Sequence, residues 1–194
     1  MIPERPRVVI AEDEAIVRLD LKEILEEEGY EVVADTGRGD HAVELVDQYQ
    51  PDLVILDVKM PGIDGLSAAK KITSKQDTAV LILTAFSQRE FVAKAAEAGA
   101  LAYLVKPYQR DDLLPAIQIA LTRHREMLAV TAQAKDLEER LEHRKSIDRA
   151  KSLLIDELGI SEMRAFRFIQ QSAMSSRKPM ADIAEEIVKG DLRP

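Results

Sequence analysis

Residues 51–65 read Pro51-Asp52-Leu53-Val54-Ile55-Leu56-Asp57-Val58-Lys59-Met60-Pro61-Gly62-Ile63-Asp64-Gly65, and this stretch decides the fold. Residues 53–56 are apolar at every position, so both alternating faces of the run are apolar. A strand of that kind is covered on both sides, as in a parallel sheet with helices above and below. It ends on a carboxylate, Asp57, and Pro61, Gly62 and Gly65 then punctuate the chain before the next helical stretch.

Working outward, short β-branched runs recur at 8–11, 31–35, 79–84 and 102–105. Between them, apolar residues fall at helical spacing. Ile16, Leu19, Ile24 and Leu25 form one such face, and Ala42, Leu45 and Val46 a second. Leu66, Ala69 and Ile72 form a third, and Phe91, Ala95 and Ala98 a fourth. This alternation predicts an α/β domain with a doubly wound, five-stranded parallel sheet. Gly29 and Gly99 mark further junctions.

Beyond residue 110 the pattern changes. Asp111 or Asp112 can cap a helix, and Pro115 suits its first turn. Met127, Val130, Ala134, Leu137 and Leu141 then recur at spacings of three and four, a heptad stripe that predicts a long helix with a coiled-coil seam. Gly159 ends it and Ser161 can cap the next helix, with Ala165, Phe166, Ile169 and Ala173 expected inward. Phe166 fits the buried face better than Phe168. Pro179 suits the first turn of a last helix with Met180, Ile183, Ala184, Ile187 and Val188 on its apolar side. The expected organisation is an α/β domain over 1–124, a helical coiled-coil linker over 125–136 and an all-α three-helix domain over 137–194.

Composition narrows the class. The chain has 194 residues, 46% hydrophobic and 32% charged, which is enough apolar material for a core and argues against disorder. Cysteine is absent, which excludes disulfides and thiolate chemistry. No apolar run approaches the roughly 18 residues of a membrane span, and the first residues lack the apolar stretch of a signal peptide. A cytoplasmic protein is expected. The net charge of −8 is uneven: residues 1–124 carry 14 Lys+Arg against 22 Asp+Glu, whereas 140–178 carry 9 against 5. An acidic front and a basic tail point to different partners.

In a doubly wound sheet the site lies at the carboxyl ends of the strands. Here the first strand ends in Glu12-Asp13, the third in Asp57, the fourth in Thr84, and the fifth in Val105-Lys106-Pro107. Three carboxylates, one hydroxyl and one ammonium thus converge on one rim. Such carboxylates repel unless a cation joins them, and hard oxygen donors suit Mg²⁺. One carboxylate can then act as a nucleophile toward phosphorus, with Thr84 and Lys106 available to the transferred oxygens.

With these pieces in order, residues 7–124 resemble the receiver domain of bacterial response regulators, a flavodoxin-like fold. The motifs are Val8-Val9-Ile10-Ala11-Glu12-Asp13-Glu14, the 51–57 strand, Met60-Pro61-Gly62-Ile63-Asp64-Gly65, Leu83-Thr84-Ala85 and Tyr103-Leu104-Val105-Lys106-Pro107. The resemblance implies that a sensor histidine kinase phosphorylates Asp57. It implies Glu12, Asp13 and Asp57 as the carboxylates for Mg²⁺, with the Lys59 position supplying a backbone carbonyl. Thr84 and Lys106 would contact the phosphoryl oxygens, and Tyr103 would be an aromatic switch following Thr84. Glu12 stands where aspartate is more usual.

The tail offers Arg144, Lys145, Arg149, Lys151, Arg164, Arg167, Arg177 and Lys178, cations suited to phosphate contacts. Residues 130–190 resemble the ANTAR domain of transcription antiterminators, carried by Leu141, Arg144, Ile147, Ala150-Lys151, Leu154, Ala165-Phe166, Ile169, Ala173-Met174, Arg177 and Ala184. Ser152 stands where that family usually has glycine after Ala-Lys. The resemblance implies binding to hairpin RNA in nascent messenger; among the tail cations Arg144, Lys151, Arg177 and Lys178 are the expected contacts, and the heptad stripe points to homodimerisation through the long helix on phosphorylation. A DNA-binding regulator and a protein-binding signalling hub are the alternatives. An enzyme is not expected, because no second substrate site is visible.

Overall fold

The computed structural model describes residues 5–85 and 89–193. β1 (Arg7–Ala11), α1 (Ala15–Glu27), β2 (Glu31–Thr36), α2 (Gly39–Tyr49), β3 (Leu53–Asp57), α3 (Gly65–Thr73), β4 (Ala79–Thr84), α4 (Arg89–Glu97) and β5 (Ala102–Val105) alternate along the first part of the chain. The strands pair in parallel in the order β2-β1-β3-β4-β5. This is the five-stranded, doubly wound, flavodoxin-like sheet. Three helices follow: α5 (Arg110–Leu158), α6 (Glu162–Ser176) and α7 (Met180–Lys189). The chain divides into two compact units, Met1–Ala129 and Val130–Pro194, and α5 contributes residues to both.

Strand alternation builds two cores in the first unit. Val8, Ile10, Leu53, Ile55, Leu81 and Leu83 pack with Leu21 and Leu25 of α1 and with Leu113 and Ile117 of α5. Val9, Ala11, Val54, Leu56, Val80 and Ile82 face the other way, onto α2, α3 and α4. The apolar run of β3 is fully buried on both sides, as its composition requires. Two expectations need correction. Ile16 is 84% exposed and Leu19 58% exposed; the inward face of α1 carries Leu21 and Leu25, flanked by the partly buried Val17 and Ile24. These four fall at i, i+4, i+7 and i+8, the spacing of one helix face. Asp112 does not precede α5 as its cap. It lies in the first turn and its Oδ2 accepts the Gln109 N–H at 3.0 Å, the reach-back arm of a capping box.

In the second unit, Ala150 and Leu154 of α5 meet Ala165, Ile169 and Ala173 of α6 and Ile183, Ala184 and Ile187 of α7. Gly159, at φ +62, terminates α5, a backbone conformation glycine adopts without penalty. Ser161 caps α6, its side chain accepting the Arg164 N–H. Pro179 occupies the N-cap of α7, one position before the first turn. The expectation for Phe166 is overturned: it is 43% exposed, and Phe168 packs against the core instead. The buried arc of α6 extends toward Phe168 because α5 and α7 cover that side. The heptad residues Val130, Leu137 and Leu141 of α5 are exposed, Leu137 by 60%. No helix among the described residues is long and apolar enough to cross a membrane.

Candidate functional site

The carboxyl ends of the central strands meet at one acidic cluster. Glu12 and Asp13 follow β1, and Asp57 closes β3. One carboxylate oxygen from each lies within 4.8 Å of one from each of the others. Glu12 is fully buried, Asp57 is buried and Asp13 is exposed. Lys106, just past β5, donates from Nζ to Glu12 Oε2 at 2.5 Å and to Asp57 Oδ2 at 3.0 Å. One ammonium therefore offsets two buried carboxylates, while the third faces solvent.

The electrostatics follow from that arrangement. Burial pushes the Glu12 carboxyl above its ordinary range, and Asp57 adds to the rise, against the pull of Lys106. Burial also works against the Lys106 ammonium, but its hydrogen bonds to Glu12 and Asp57 outweigh this and hold its pKa above the usual lysine value. Three oxygen donors, without imidazole or thiolate, form a set that can hold a hard divalent cation.

Local backbone features fix these groups. Asp57 pairs with Leu83 in the β3–β4 register, which sets Thr84 at the next position of the neighbouring strand. The Lys106 N–H donates to the Thr84 carbonyl at 2.7 Å, tying the end of β5 to β4. A Cβ on Gly65 would stand 2.0 Å from the Asp57 carbonyl oxygen, so α3 can start against β3 only with glycine there. Thr84 is fully buried and its side chain shares a hydrogen bond with the Tyr103 hydroxyl. Burial raises the Tyr103 pKa, keeping it a neutral phenol. Lys59 lies in the loop after β3 with its side chain exposed.

Two residues near this site escaped the sequence reading. Arg18 on α1 donates to the Glu12 carbonyl at 2.5 Å and to Asp35 Oδ2 at 3.0 Å, bracing the end of β1. A lone arginine one turn into a helix gives no signal for that. Tyr108 is half-buried, with its hydroxyl atom buried and unpartnered among the described residues.

The four cations expected to contact RNA fall into two groups. Lys151 is drawn to Asp148 Oδ1 at 2.7 Å and Glu162 Oε1 at 2.9 Å, and Lys178 to Glu186 Oε1 at 2.5 Å. Arg144 on α5 and Arg177, which caps the C-terminus of α6 in a left-handed conformation at φ 54, are exposed.

Comparison with known proteins gives the class. Residues 8–118 match the response regulator receiver domain and residues 135–188 match the ANTAR domain. The chain therefore belongs to the response regulators, as a member that carries an ANTAR domain. It is similar to the transcriptional regulatory protein PdtaR of Mycobacterium tuberculosis (strain ATCC 25618 / H37Rv), at 51% identity over 94% of this chain and 89% of that protein. The chemotaxis protein CheY of Bacillus subtilis (strain 168) is 40% identical over 59% of this chain and 97% of its own length. The crystal structure of the response regulator domain of Thermotoga maritima CheB superposes with a TM-score of 0.57 at 27% identity, covering 61% of this chain and 97% of that one. Both matching families are regulatory rather than catalytic.

Proposed function

We propose that the protein is a phosphorylation-activated regulator of the cytoplasm that binds hairpin RNA in nascent transcripts and acts as an antiterminator. The observation that carries the reading is the cluster of Glu12, Asp13 and Asp57 gathered with Lys106, on a chain with an ANTAR domain behind it. A sensor histidine kinase supplies the phosphoryl group. An Asp57 carboxylate oxygen attacks phosphorus, the phosphorus–nitrogen bond of the phosphohistidine breaks, and the imidazole, already protonated on its other ring nitrogen, leaves neutral. Glu12, Asp13, Asp57 and the Lys59 carbonyl would hold Mg²⁺, which would supply positive charge for the carboxylates and phosphoryl oxygens. Lys106 and the Thr84 hydroxyl each take one phosphoryl oxygen.

The hydrogen bond between Thr84 and Tyr103 links the site to the edge strand β5. Movement of Thr84 toward the phosphoryl group repositions Tyr103 and changes the surface around α4 and β5. The exposed stripe of Met127, Val130, Ala134, Leu137 and Leu141 supports a second copy of the chain as partner. Paired α5 helices would present two ANTAR domains together, so two modest RNA contacts act as one strong site. Arg144 and Arg177 are the readiest contacts to phosphates and bases. Lys151 and Lys178 must first exchange their carboxylate partners. Phe166, exposed on α6, adds a ring on which an unpaired base can stack.

The test is hairpin RNA affinity for the wild type, with and without acetyl phosphate, beside Asp57→Ala. Phosphorylated wild type should bind at least about tenfold tighter than either control, a coupling of roughly 1.4 kcal/mol. Equal affinities would remove phosphorylation from the account. Equal competition by duplex DNA at fixed salt would remove RNA as the ligand.

A further inference from the structure

The Tyr108 hydroxyl is buried and has no hydrogen-bond partner among the described residues. Buried polar atoms are nearly always paired, because leaving one unpaired costs stability. Only one other side chain, His124, has such an atom among the described residues, and it lines a separate cleft with Thr73, Asp77 and Gly99. Tyr108 lies two residues past Lys106 and lines with it, Glu14 and Asp20 a cleft of roughly 530 Å³. The Tyr108 side chain therefore shares a cleft with Lys106, the cation paired with Glu12 and Asp57.

Glu12 has a complementary vulnerability. Its Oε1 accepts the Glu14 N–H at 3.2 Å, and its Oε2 depends on Lys106 at 2.5 Å. The carboxylate is fully buried and out of reach of bulk water. A phosphoryl group on Asp57 places its oxygens beyond the present carboxylate, and Lys106 must follow them outward to neutralise them. That movement takes the ammonium donor from Oε2, leaving the Glu12 carboxylate with the Glu14 N–H and, once bound, Mg²⁺, but with no hydrogen-bond donor on Oε2.

We propose that Tyr108 is a positioning residue of this site, its hydroxyl taking over Glu12 Oε2 when Lys106 turns to the phosphoryl group. The inference rests on the reading of Asp57 as the phosphoacceptor. A phenol suits the role because it must donate rather than ionise. Burial keeps its proton on, and the charges of Glu12, Asp20 and Asp57 reinforce that effect. The unpartnered hydroxyl is then a cost carried in the resting state and recovered in the activated one. Phenylalanine would fill the same space without the cost and without the gain.

The test uses the full chain and beryllium fluoride with magnesium as the phosphoryl mimic. Its affinity is measured by calorimetry for wild type and Tyr108→Phe, with thermal melts of both proteins free of ion and mimic. The variant should bind the mimic about tenfold more weakly. Its ligand-free melting temperature should equal or exceed that of the wild type, because an unpaired buried hydroxyl has been removed. The opposite signs are the signature, since a residue that only packs would lower both. Affinity within about twofold of wild type overturns the proposal while leaving the phosphoacceptor reading intact. Weaker binding with a lowered ligand-free melting temperature also overturns it, in favour of packing. Failure of the wild type to bind the mimic overturns both.

Discussion

Replacing Lys106 with methionine removes the cation that is paired with both Glu12 and Asp57 while keeping most of the side-chain length. Glu12 Oε2 and Asp57 Oδ2 would lose donors at 2.5 and 3.0 Å, and the carboxylates stay within 4.8 Å of one another. At an effective dielectric near 20, two unit charges at that separation repel by about 3 kcal/mol. Stranding buried charges after removal of one partner costs about 3–5 kcal/mol in general. The lower figure is the better expectation, because Asp13 is exposed and Glu12 can take up a proton. Lys106→Met should thus destabilise the ion-free receiver unit by about 3 kcal/mol, a fall in Tm on the order of 10 °C. Magnesium replaces the missing positive charge, so the variant should regain more stability from saturating magnesium than the wild type does. Circular dichroism melts in chelator and in magnesium, at neutral pH, measure all four values. An unchanged Tm in chelator would refute the electrostatic reasoning, as would an equal magnesium increment in both proteins.

Glu12→Gln tests the same balance from the other side. A carboxyl whose pKa is raised on folding favours the fold below its unfolded value, near 4.5, and that contribution is lost as pH rises through its folded value. The variant should therefore gain on the wild type as pH climbs above about 4.5 in chelator, and an identical pH profile in urea titrations would contradict this. Gly65→Ala forces the Cβ against the Asp57 carbonyl oxygen, which it would meet at 2.0 Å. The displaced carboxylate should accept phosphoryl from acetyl phosphate about a hundredfold more slowly, and a wild-type rate in a folded variant would refute the close approach. Phe166→Ala should weaken hairpin binding by about 1–3 kcal/mol, the value of one stacked base. Its melting curve should barely move because the ring is exposed, and a large loss of stability with unchanged affinity would return Phe166 to the core.

The receiver was legible because its signals are local and redundant. The run at 53–56 is apolar on both faces, and the ends of β1, β3, β4 and β5 together carry residue types that fit one shared site. Strand limits from the sequence agree with the structure to within one residue at β1 and β2 and coincide at the other three. Side-chain facing was harder where an apolar residue belongs to neither core. Ile16 and Leu19 satisfy hydrophobic spacing over a short window, but Val17, Leu21, Ile24 and Leu25 satisfy it over the full length of α1. Phe166 and Phe168 flank the same buried arc of α6, and which one is covered depends on where α5 and α7 lie. The pairing of Lys151 with Glu162 and of Lys178 with Glu186 joins residues on different helices and has no linear signature. The Tyr108 hydroxyl is of the same kind, since only a three-dimensional inventory shows that it lacks a partner.

The most direct measurement is intact-mass and peptide mapping of the full chain after incubation with acetyl phosphate and magnesium. The account predicts one added phosphoryl group, on the peptide containing Asp57, absent in Asp57→Ala and in chelator. An unmodified wild-type chain, or a phosphoryl group mapped to another side chain, would contradict it.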